Sequence, residues 1–182
     1  MKKGSVIWIC GLAGSGKSTL ATALAQILRA KFSNVVYLDG DELREILGHF
    51  SYDKNGRIDM ALKRAKMAKF LSNQGQIVIV STISLFGEVY EFNRANLQNY
   101  FEVFVECEFD ELKKRDQKGL YTKALRGEVQ NVVGVDIAYD TPTPHLVLEN
   151  SQAVDLDKKA QFLCDEFLKF YDKSYQKGAD NE

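Results

Sequence analysis

Apolar residues along this chain follow two patterns that alternate from one end to the other. Short runs rich in Val, Ile and Phe are typical of strands buried on both faces, and they predict strands at Ser5–Cys10, Val35–Leu38, Ile77–Thr82, Phe101–Cys107 and Leu146–Leu148. Stretches with apolar positions three and four residues apart are typical of helices packed on one side, and they predict helices at Lys17–Phe32, Asp41–Leu47, Arg57–Asn73, Glu88–Gln98, Asp110–Lys118 and Asp155–Tyr171. This alternation indicates an α/β fold with a five-stranded parallel sheet and helices on both faces.

Polar residues mark two loops and one exposed helix face. The segments Gly48–Gly56 and Gln117–Pro144 have no clear periodicity, and long loops in compact domains are often lids or binding loops. We therefore expect a single domain over residues 1–182 with a lid at about 113–134. In the third predicted helix, the basic residues away from the apolar stripe are expected to form a solvated face: Lys63, Arg64, Lys66 and Lys69.

Composition and charge narrow the class of protein. The chain has 182 residues and a net charge of -1, so nothing general favours nucleic acid or a membrane surface as a partner. No apolar run approaches the ~20 residues of a membrane span, and the N-terminus lacks a signal-peptide core. We therefore expect a cytoplasmic protein. Cys10, Cys107 and Cys164 are widely spaced, which is typical of reduced thiols and not of disulfides or metal ligands.

A glycine-rich segment after the first predicted strand carries the clearest chemistry. Gly11–Ser18 fits the phosphate-loop pattern G-x-x-x-x-G-K-[ST] at every fixed position, between a strand and an amphipathic helix. Its amides would lie at a helix N-terminus that favours anions. Lys17 is expected to reach the β- and γ-phosphates of a nucleotide, and Ser18 to ligate Mg²⁺. The alternative is a glycine-rich turn without a ligand. The candidate nucleotide-binding residues are Gly11, Ala13, Gly14, Ser15, Gly16, Lys17, Ser18 and Thr19.

Two acids follow the second predicted strand. Asp39 and Asp41 should emerge at its carboxyl end, where ligands bind in open α/β sheets. One could hold Mg²⁺ through water while the other accepts a proton from an attacking hydroxyl, and the two roles could be exchanged. Asp41 also suits the N-cap of the helix that follows.

Further candidates also follow strand ends. Arg44 lies one turn beyond Asp41, Arg57 opens the third helix, and Arg115 and Lys118 stand at the start of the presumed lid. Arginine donates paired bonds to phosphate, although each of these residues could equally be surface charge. Hydroxyl groups close the third strand at Ser81, Thr82 and Ser84, where they could contact a phosphate or end the strand in a turn.

Two other classes of phosphate-loop protein fit less well. A GTPase or ATPase switch needs a base-recognition signal such as Asn-Lys-x-Asp, and the sequence has none. A nucleotide-binding scaffold without catalysis has no need of Lys17, Ser18, Asp39 and Asp41 together.

These motifs resemble those of the adenylylsulfate kinase family. The resemblance implies the P-loop NTPase fold, a three-layer sandwich. The matching segments are Gly11–Ala21, Leu38–Asp41, Ile83–Ser84, Arg115–Tyr121 and Gly134–Asp136. The resemblance implies transfer of the γ-phosphoryl group of ATP, with Mg²⁺, to the ribose 3′-hydroxyl of adenosine 5′-phosphosulfate, and it implies a possible homodimer.

The resemblance also assigns roles to residues. Ser18 and Asp39 would hold the metal, Lys17, Asp39, Asp41, Ser84 and Lys118 would be catalytic, and Arg115 would contact ATP. The acceptor nucleotide would contact Asp41, Arg44, Phe50, Arg57, Ser84, Lys118 and Leu120, with Arg44 and Arg57 on its 5′-anion and Phe50 stacked on its base.

Departures from the family pattern fall on the acceptor side. Val132 stands where a second aromatic ring is expected, Leu85-Phe86-Gly87 replaces Pro-Tyr-Arg, and Met60 replaces an asparagine. Losing one ring face weakens purine stacking by roughly 1–3 kcal/mol. A smaller pyrimidine acceptor would fit these losses. By resemblance, the chain looks closer to the cytidine diphosphoramidate kinases of capsular polysaccharide synthesis, which the resemblance implies act on a cytidine nucleotide. The alternative is an adenylylsulfate kinase that makes 3′-phosphoadenylylsulfate in sulfate assimilation.

Overall fold

The computed structural model describes residues 4–152 and 155–179, with the backbone alone at residues 117 and 174–179. Its parallel strands are β1 (Ser5–Cys10), β2 (Val35–Asp39), β3 (Ile77–Thr82), β4 (Tyr100–Glu106) and β5 (Leu146–Glu149). Its α-helices are α1 (Lys17–Arg29), α2 (Gly40–Ile46), α3 (Lys54–Asn73), α4 (Gly87–Asn96), α5 (Phe109–Arg115), α6 (Leu120–Leu125) and α7 (Leu156–Ala179).

The strands form one sheet in the order β2-β3-β1-β4-β5, which confirms the predicted α/β class. Alternate residues of β1 face opposite sides of the sheet. Trp8 packs in the core beneath α3 and α4, whereas Ile7 packs in the core beneath α1 and α7. Because the sheet is covered on both faces, its strands read as continuous apolar runs.

This strand order determines where a ligand can bind. From the central strand β1 the chain passes to one side for β2 and β3 and to the other side for β4 and β5. A crevice opens at such a switch point, outside the carboxyl ends of the strands. Pairing places Asp39 beside Ser81 and Cys10 beside Thr82 at this edge. The predicted site residues that follow these strands therefore converge.

The predicted helix Asp110–Lys118 is wrong at its end. Helix α5 stops at Arg115 because Asp116 leaves the helical region, with φ 17° and ψ 60°, and Lys118 has a left-handed φ of 59°. The carboxylate of Asp116 accepts bonds from the amides of Tyr121 and Thr122, which start a new helix, α6. Because Asp116 both ends α5 and binds amides at the start of α6, the apolar pattern shows no break between the two helices, and the sequence does not reveal the boundary.

The prediction of an irregular loop over Gln117–Pro144 is also partly wrong. Besides α6, this segment contributes residues to the core beneath α3 and α4, namely Tyr121, Val132, Val133 and Ile137. The carboxylate of Asp136 accepts from the amides of Asn131 and Val132 at 2.6 Å each, which closes a tight turn. The segment is therefore packed against the site by its apolar residues.

Smaller differences have local causes. Helix α3 begins three residues before the expected Arg57 because the carboxylate of Asp53 caps it by accepting from the amide of Gly56. Helix α1 ends at Arg29, short of the expected Phe32, whereas α7 runs beyond the expected Tyr171. No helix in the described part of the chain is long and apolar enough to cross a membrane.

Candidate active site

The phosphate loop joins β1 to α1 and requires its glycines. Gly14 and Gly16 have φ values of 77° and 91°, which favour glycine. At Gly11 a side chain would lie 2.7 Å from the carbonyl oxygen of Val105. The N-cap residue of α1, Gly16, supplies no side-chain cap. The first amides of this helix are thus placed to receive an anion.

Two side chains distant in sequence hold the loop in shape. The hydroxyl of Tyr121 donates to the carbonyl of Ala13 at 2.8 Å, and the amide of Asn150 donates to the carbonyl of Ser15 at 2.7 Å. Lys159 in turn donates to the other side-chain atom of Asn150, at 2.7 Å. These bonds fix the orientation of two peptide groups in the loop. The sequence carries no local signal for the role of Asn150.

The contact between Tyr121 and the loop can be tested by removing one oxygen. Tyr121→Phe is expected to lower the free energy of unfolding by about 1 kcal/mol, the typical net contribution of a hydrogen bond. It should also raise the KM for ATP severalfold, because the loop loses an anchor. Tyr139→Phe, at a partly exposed tyrosine, is the matched control. Chemical denaturation and steady-state kinetics measure both effects, and equal stability of the two variants would contradict the assigned role.

Arg115 also contacts the phosphate loop, from the end of α5. Its guanidinium donates to the carbonyls of Gly14 at 3.3 Å and Asn150 at 2.7 Å, and it pairs with Glu111 at 3.2 Å. In this structure Arg115 thus joins the loop to the end of β5. Its expected contact with ATP stays a prediction.

Lys17 is the cation at the centre of the loop. Its ammonium donates to the carbonyl of Leu12 at 3.3 Å. Burial lowers the pKa of Lys17 from 10.5 to about 8, against the opposing effect of Asp41 and Asp39. An ammonium group held in this environment gains a strong partner when a phosphate arrives.

The carboxylate of Asp39 is fully engaged at the end of β2. One oxygen accepts from the amides of Asp41 and Glu42, at 2.9 and 3.3 Å, and the other accepts from the hydroxyls of Tyr37 and Ser81, at 2.8 and 3.0 Å. Burial raises its pKa, but these bonds together outweigh that effect and hold the pKa below its usual value. Asp39 is therefore the N-cap of α2, and the expectation that Asp41 is the cap is wrong. The helix begins at Gly40, one residue before the expected Asp41.

Oxygen atoms gather around Asp39. The hydroxyls of Ser18 and Ser81 lie 3.4 Å apart, and Ser81 bonds to Asp39. Hydroxyl and carboxylate oxygens suit Mg²⁺, which keeps several waters and binds phosphates as well as protein ligands. The described residues hold no group of three or more His, Cys, Asp or Glu side chains that could bind a metal ion without such help.

Asp41 differs from Asp39 in its surroundings. It lies exposed in the first turn of α2. Among the charges that act on Lys17, Asp41 has the largest effect, and it also acts on Arg57 and Arg64. The structure thus places an accessible carboxylate within electrostatic reach of the phosphate-loop lysine and of two arginines.

Arg44 and Arg57 both lie against one aromatic ring. Their guanidinium carbons lie 4.5 and 5.5 Å from the centre of the Tyr52 ring. Arg57 also donates to the carbonyls of Tyr52 and Asn131, at 2.7 and 2.6 Å. It therefore joins the loop that carries Phe50 to the segment that carries Val132. No local pattern in the sequence marks Tyr52 for this role.

The two positions expected to contact the acceptor base differ in exposure. Phe50 has 67% of its surface exposed, whereas Val132 is buried at 3%. The Phe50 ring is therefore accessible from solvent, and Val132 is packed into the core.

Three remaining candidates stand apart from this group. Ser84 is fully buried, and its hydroxyl has no hydrogen-bond partner among the described residues. Lys118 is exposed in the turn before α6, and Leu120 packs against the core. Their expected roles stay predictions.

Arg64 lies in the interior, and the predicted solvated position is wrong. Only 4% of its surface is exposed. One guanidinium nitrogen donates to the hydroxyl of Thr82 and another to the carbonyl of Gly40, both at 2.7 Å. Arg64 is seven residues after Arg57, so both lie on one face of α3. That spacing is the signal that could have placed it in the site.

Comparison with known proteins supports the chemistry of this crevice. The adenylylsulphate kinase family matches residues 3–149. A cytidine diphosphoramidate kinase of Campylobacter jejuni is 59% identical over 158 residues, which cover 87% of this chain and 93% of that protein. An adenylyl-sulfate kinase of Pseudomonas aeruginosa is 38% identical over 160 residues, with coverage of 85% and 82%.

A solved structure agrees with the fold. The APS kinase of Mycobacterium tuberculosis, in complex with AMPPNP and APS, has a TM-score of 0.82 and 32% identity, and the match covers 91% of this chain and 98% of that one. This chain belongs to the adenylylsulphate kinase family and is an ATP-dependent phosphotransferase.

Proposed function

We propose that this protein transfers the γ-phosphoryl group of ATP to the ribose 3′-hydroxyl of cytidine diphosphoramidate, in capsular polysaccharide synthesis. The 59% identity to the Campylobacter jejuni enzyme, over nearly all of both chains, carries this proposal. The nucleotide end of the site keeps every phosphate-loop residue. Two of the residues that depart from the family pattern, Val132 and Met60, are buried.

Each charged group has a role in the transfer. Lys17 and the loop amides stabilise the charge that develops on the transferred group. The oxygen of the 3′-hydroxyl bonds to the γ-phosphorus while the bond from that phosphorus to ADP breaks. Asp41, which is exposed, accepts the proton of this hydroxyl. Asp39 and Ser18 are the residues that would hold Mg²⁺, which offsets phosphate charge when bound. The four hydrogen bonds that already occupy Asp39, together with the exposure of Asp41, support Asp41 as the base.

Arg44 and Arg57 are proposed to bind the acceptor's 5′-anion, with Phe50 stacked on its base. Residues at about 113–134 are proposed to close over the phosphates as a lid, with Lys118 and Arg115 near the nucleotide. Closure excludes water and suppresses ATP hydrolysis. We also propose a cytoplasmic location and a homodimer, on the basis of family resemblance.

The alternative acceptor is adenylylsulfate. The 38% identity to the Pseudomonas aeruginosa enzyme keeps this candidate open. The distinguishing residue is Val132, because its buried aliphatic side chain offers no second ring to a purine.

Acceptor kinetics test the proposal. A coupled assay of ADP release should give a kcat/KM for cytidine diphosphoramidate ~10- to 100-fold above that for adenylylsulfate, as expected from the loss of one stacking face. CDP and cytidine complete the series and report the contribution of the terminal group. A higher kcat/KM for adenylylsulfate would favour the alternative.

A further inference from the structure

Arg64 is a buried cation without an ion pair. None of the salt bridges among the described residues includes it, and its Nε atom has no hydrogen-bond partner there. Burial lowers the pKa of Arg64 to about 10, with Arg44 acting in the same direction and Asp41 and Asp39 opposing. Replacing buried charges by apolar groups of similar volume is often neutral or stabilising. Stability alone therefore does not explain an arginine at this position.

The contacts of Arg64 lie at the turn that carries the two acids. Its planar fork donates to the carbonyl of Gly40, between Asp39 and Asp41, and to the hydroxyl of Thr82 at the end of β3. At Gly40 a side chain would lie 2.7 Å from the carbonyl oxygen of Ser81. The first turn of α2 thus sits directly against the end of β3, and Arg64 fastens the two together.

We propose that Arg64 is a positioning residue for phosphoryl transfer, which fixes the Asp39–Asp41 turn against the end of β3. This inference rests on the proposed function for the role of the two acids. The contact of Arg64 with Gly40 and Thr82 does not depend on that function. Ser81, next to Thr82, bonds to Asp39. A shift of the turn would therefore move both acids relative to Lys17 and Ser18. Small displacements of reacting groups can cost ~10²-fold in rate.

Kinetics of five variants, four single and one double, test the proposal. Arg64→Met should lower kcat by ~10²-fold and leave the KM for ATP within about threefold, because the phosphate loop is untouched. Arg64→Lys, which keeps the charge but loses the fork, should retain only part of the activity. Thr82→Val removes one acceptor at nearly constant volume and should also lower kcat, whereas the matched Thr82→Ser should not. In the double variant Arg64→Met/Thr82→Val, the losses should not add, because both act through one contact.

Hydrogen exchange supplies a readout that needs no acceptor. The amides of Asp41 and Glu42 bond to Asp39 in the turn. They should exchange about tenfold faster in Arg64→Met and Thr82→Val, with no change in the amides of α7. If Arg64→Met does not fold, Arg64→Lys and the Thr82 pair decide the question.

Unchanged exchange at the amides of Asp41 and Glu42 in every variant would overturn the inference. Full activity of Arg64→Lys alongside an inactive Arg64→Met would also overturn it, because the effect would then depend on charge alone. A wild-type protein that phosphorylates no nucleotide refutes the proposed function instead, and exchange still decides the role of Arg64.

Discussion

Replacing Lys17 with methionine is expected to abolish most activity while stabilising the ligand-free protein. The loss of turnover should be ~10²- to 10³-fold, as for removal of one electrostatic stabiliser of a transition state. The gain in stability follows from the lowered pKa, because the folded protein holds this ammonium at a cost. Turnover assays and thermal unfolding without ligand measure the two effects in one preparation.

The stability gain has a defined pH dependence. The pKa of Lys17 falls from 10.5 in the unfolded chain to about 8 in the folded protein. Below pH ~8 both states are protonated, so the folded protein carries the whole penalty and the variant has its full advantage. Between pH ~8 and ~10.5 the folded wild type sheds its proton first, so the advantage shrinks. Lys31→Met, at an exposed lysine of the described chain, is the control, and it should change neither property. A Lys17→Met enzyme with near-normal turnover would refute the assignment.

The paired acids are expected to respond differently to the same substitution. Asp41→Ala should lower kcat by ~10²- to 10⁴-fold, the usual contribution of a general base. It should leave the free energy of unfolding within about 0.5 kcal/mol, since Asp41 is exposed and stabilises α2 mainly through the helix dipole. Asp39→Ala should also lose activity, and in addition about 1–2 kcal/mol of stability, because the N-cap of α2 disappears.

Comparing the two variants by chemical denaturation and by turnover separates the roles. Equal destabilisation by the two substitutions would contradict the assignment of Asp39 as the cap. Full turnover in Asp41→Ala would remove it from the proton transfer.

Local sequence predicts much of the site because the phosphate loop is encoded in one segment. The strand that precedes the loop, the glycines and the helix that follows are adjacent along the chain, and the carboxyl ends of parallel strands must meet at one edge of the sheet. These two constraints are enough to predict that Lys17, Ser18 and Asp39 lie together. The segment Gln117–Pro144 is harder to predict, because Asp116, just before it, ends one helix and starts another within five residues.

Other features depend on distant contacts that no local pattern shows. Tyr121 and Asn150 reach the phosphate loop across more than 100 residues. Arg64 lies on a helix face with both polar and apolar residues. Its position there does not reveal that a carbonyl and a hydroxyl accept its hydrogen bonds in the interior. Charged residues are seldom fully buried, so a solvated face is the natural expectation, and only the packing of α3 against β3 reverses it.

The most direct test of the central claim is the location of the transferred phosphate. The protein is incubated with MgATP and cytidine diphosphoramidate, and the product is analysed by ³¹P NMR with proton coupling. A new phosphomonoester coupled to the ribose 3′-proton is expected, formed in equal amount to ADP. Inorganic phosphate without a modified nucleotide, or a phosphate attached at any other position, would contradict it.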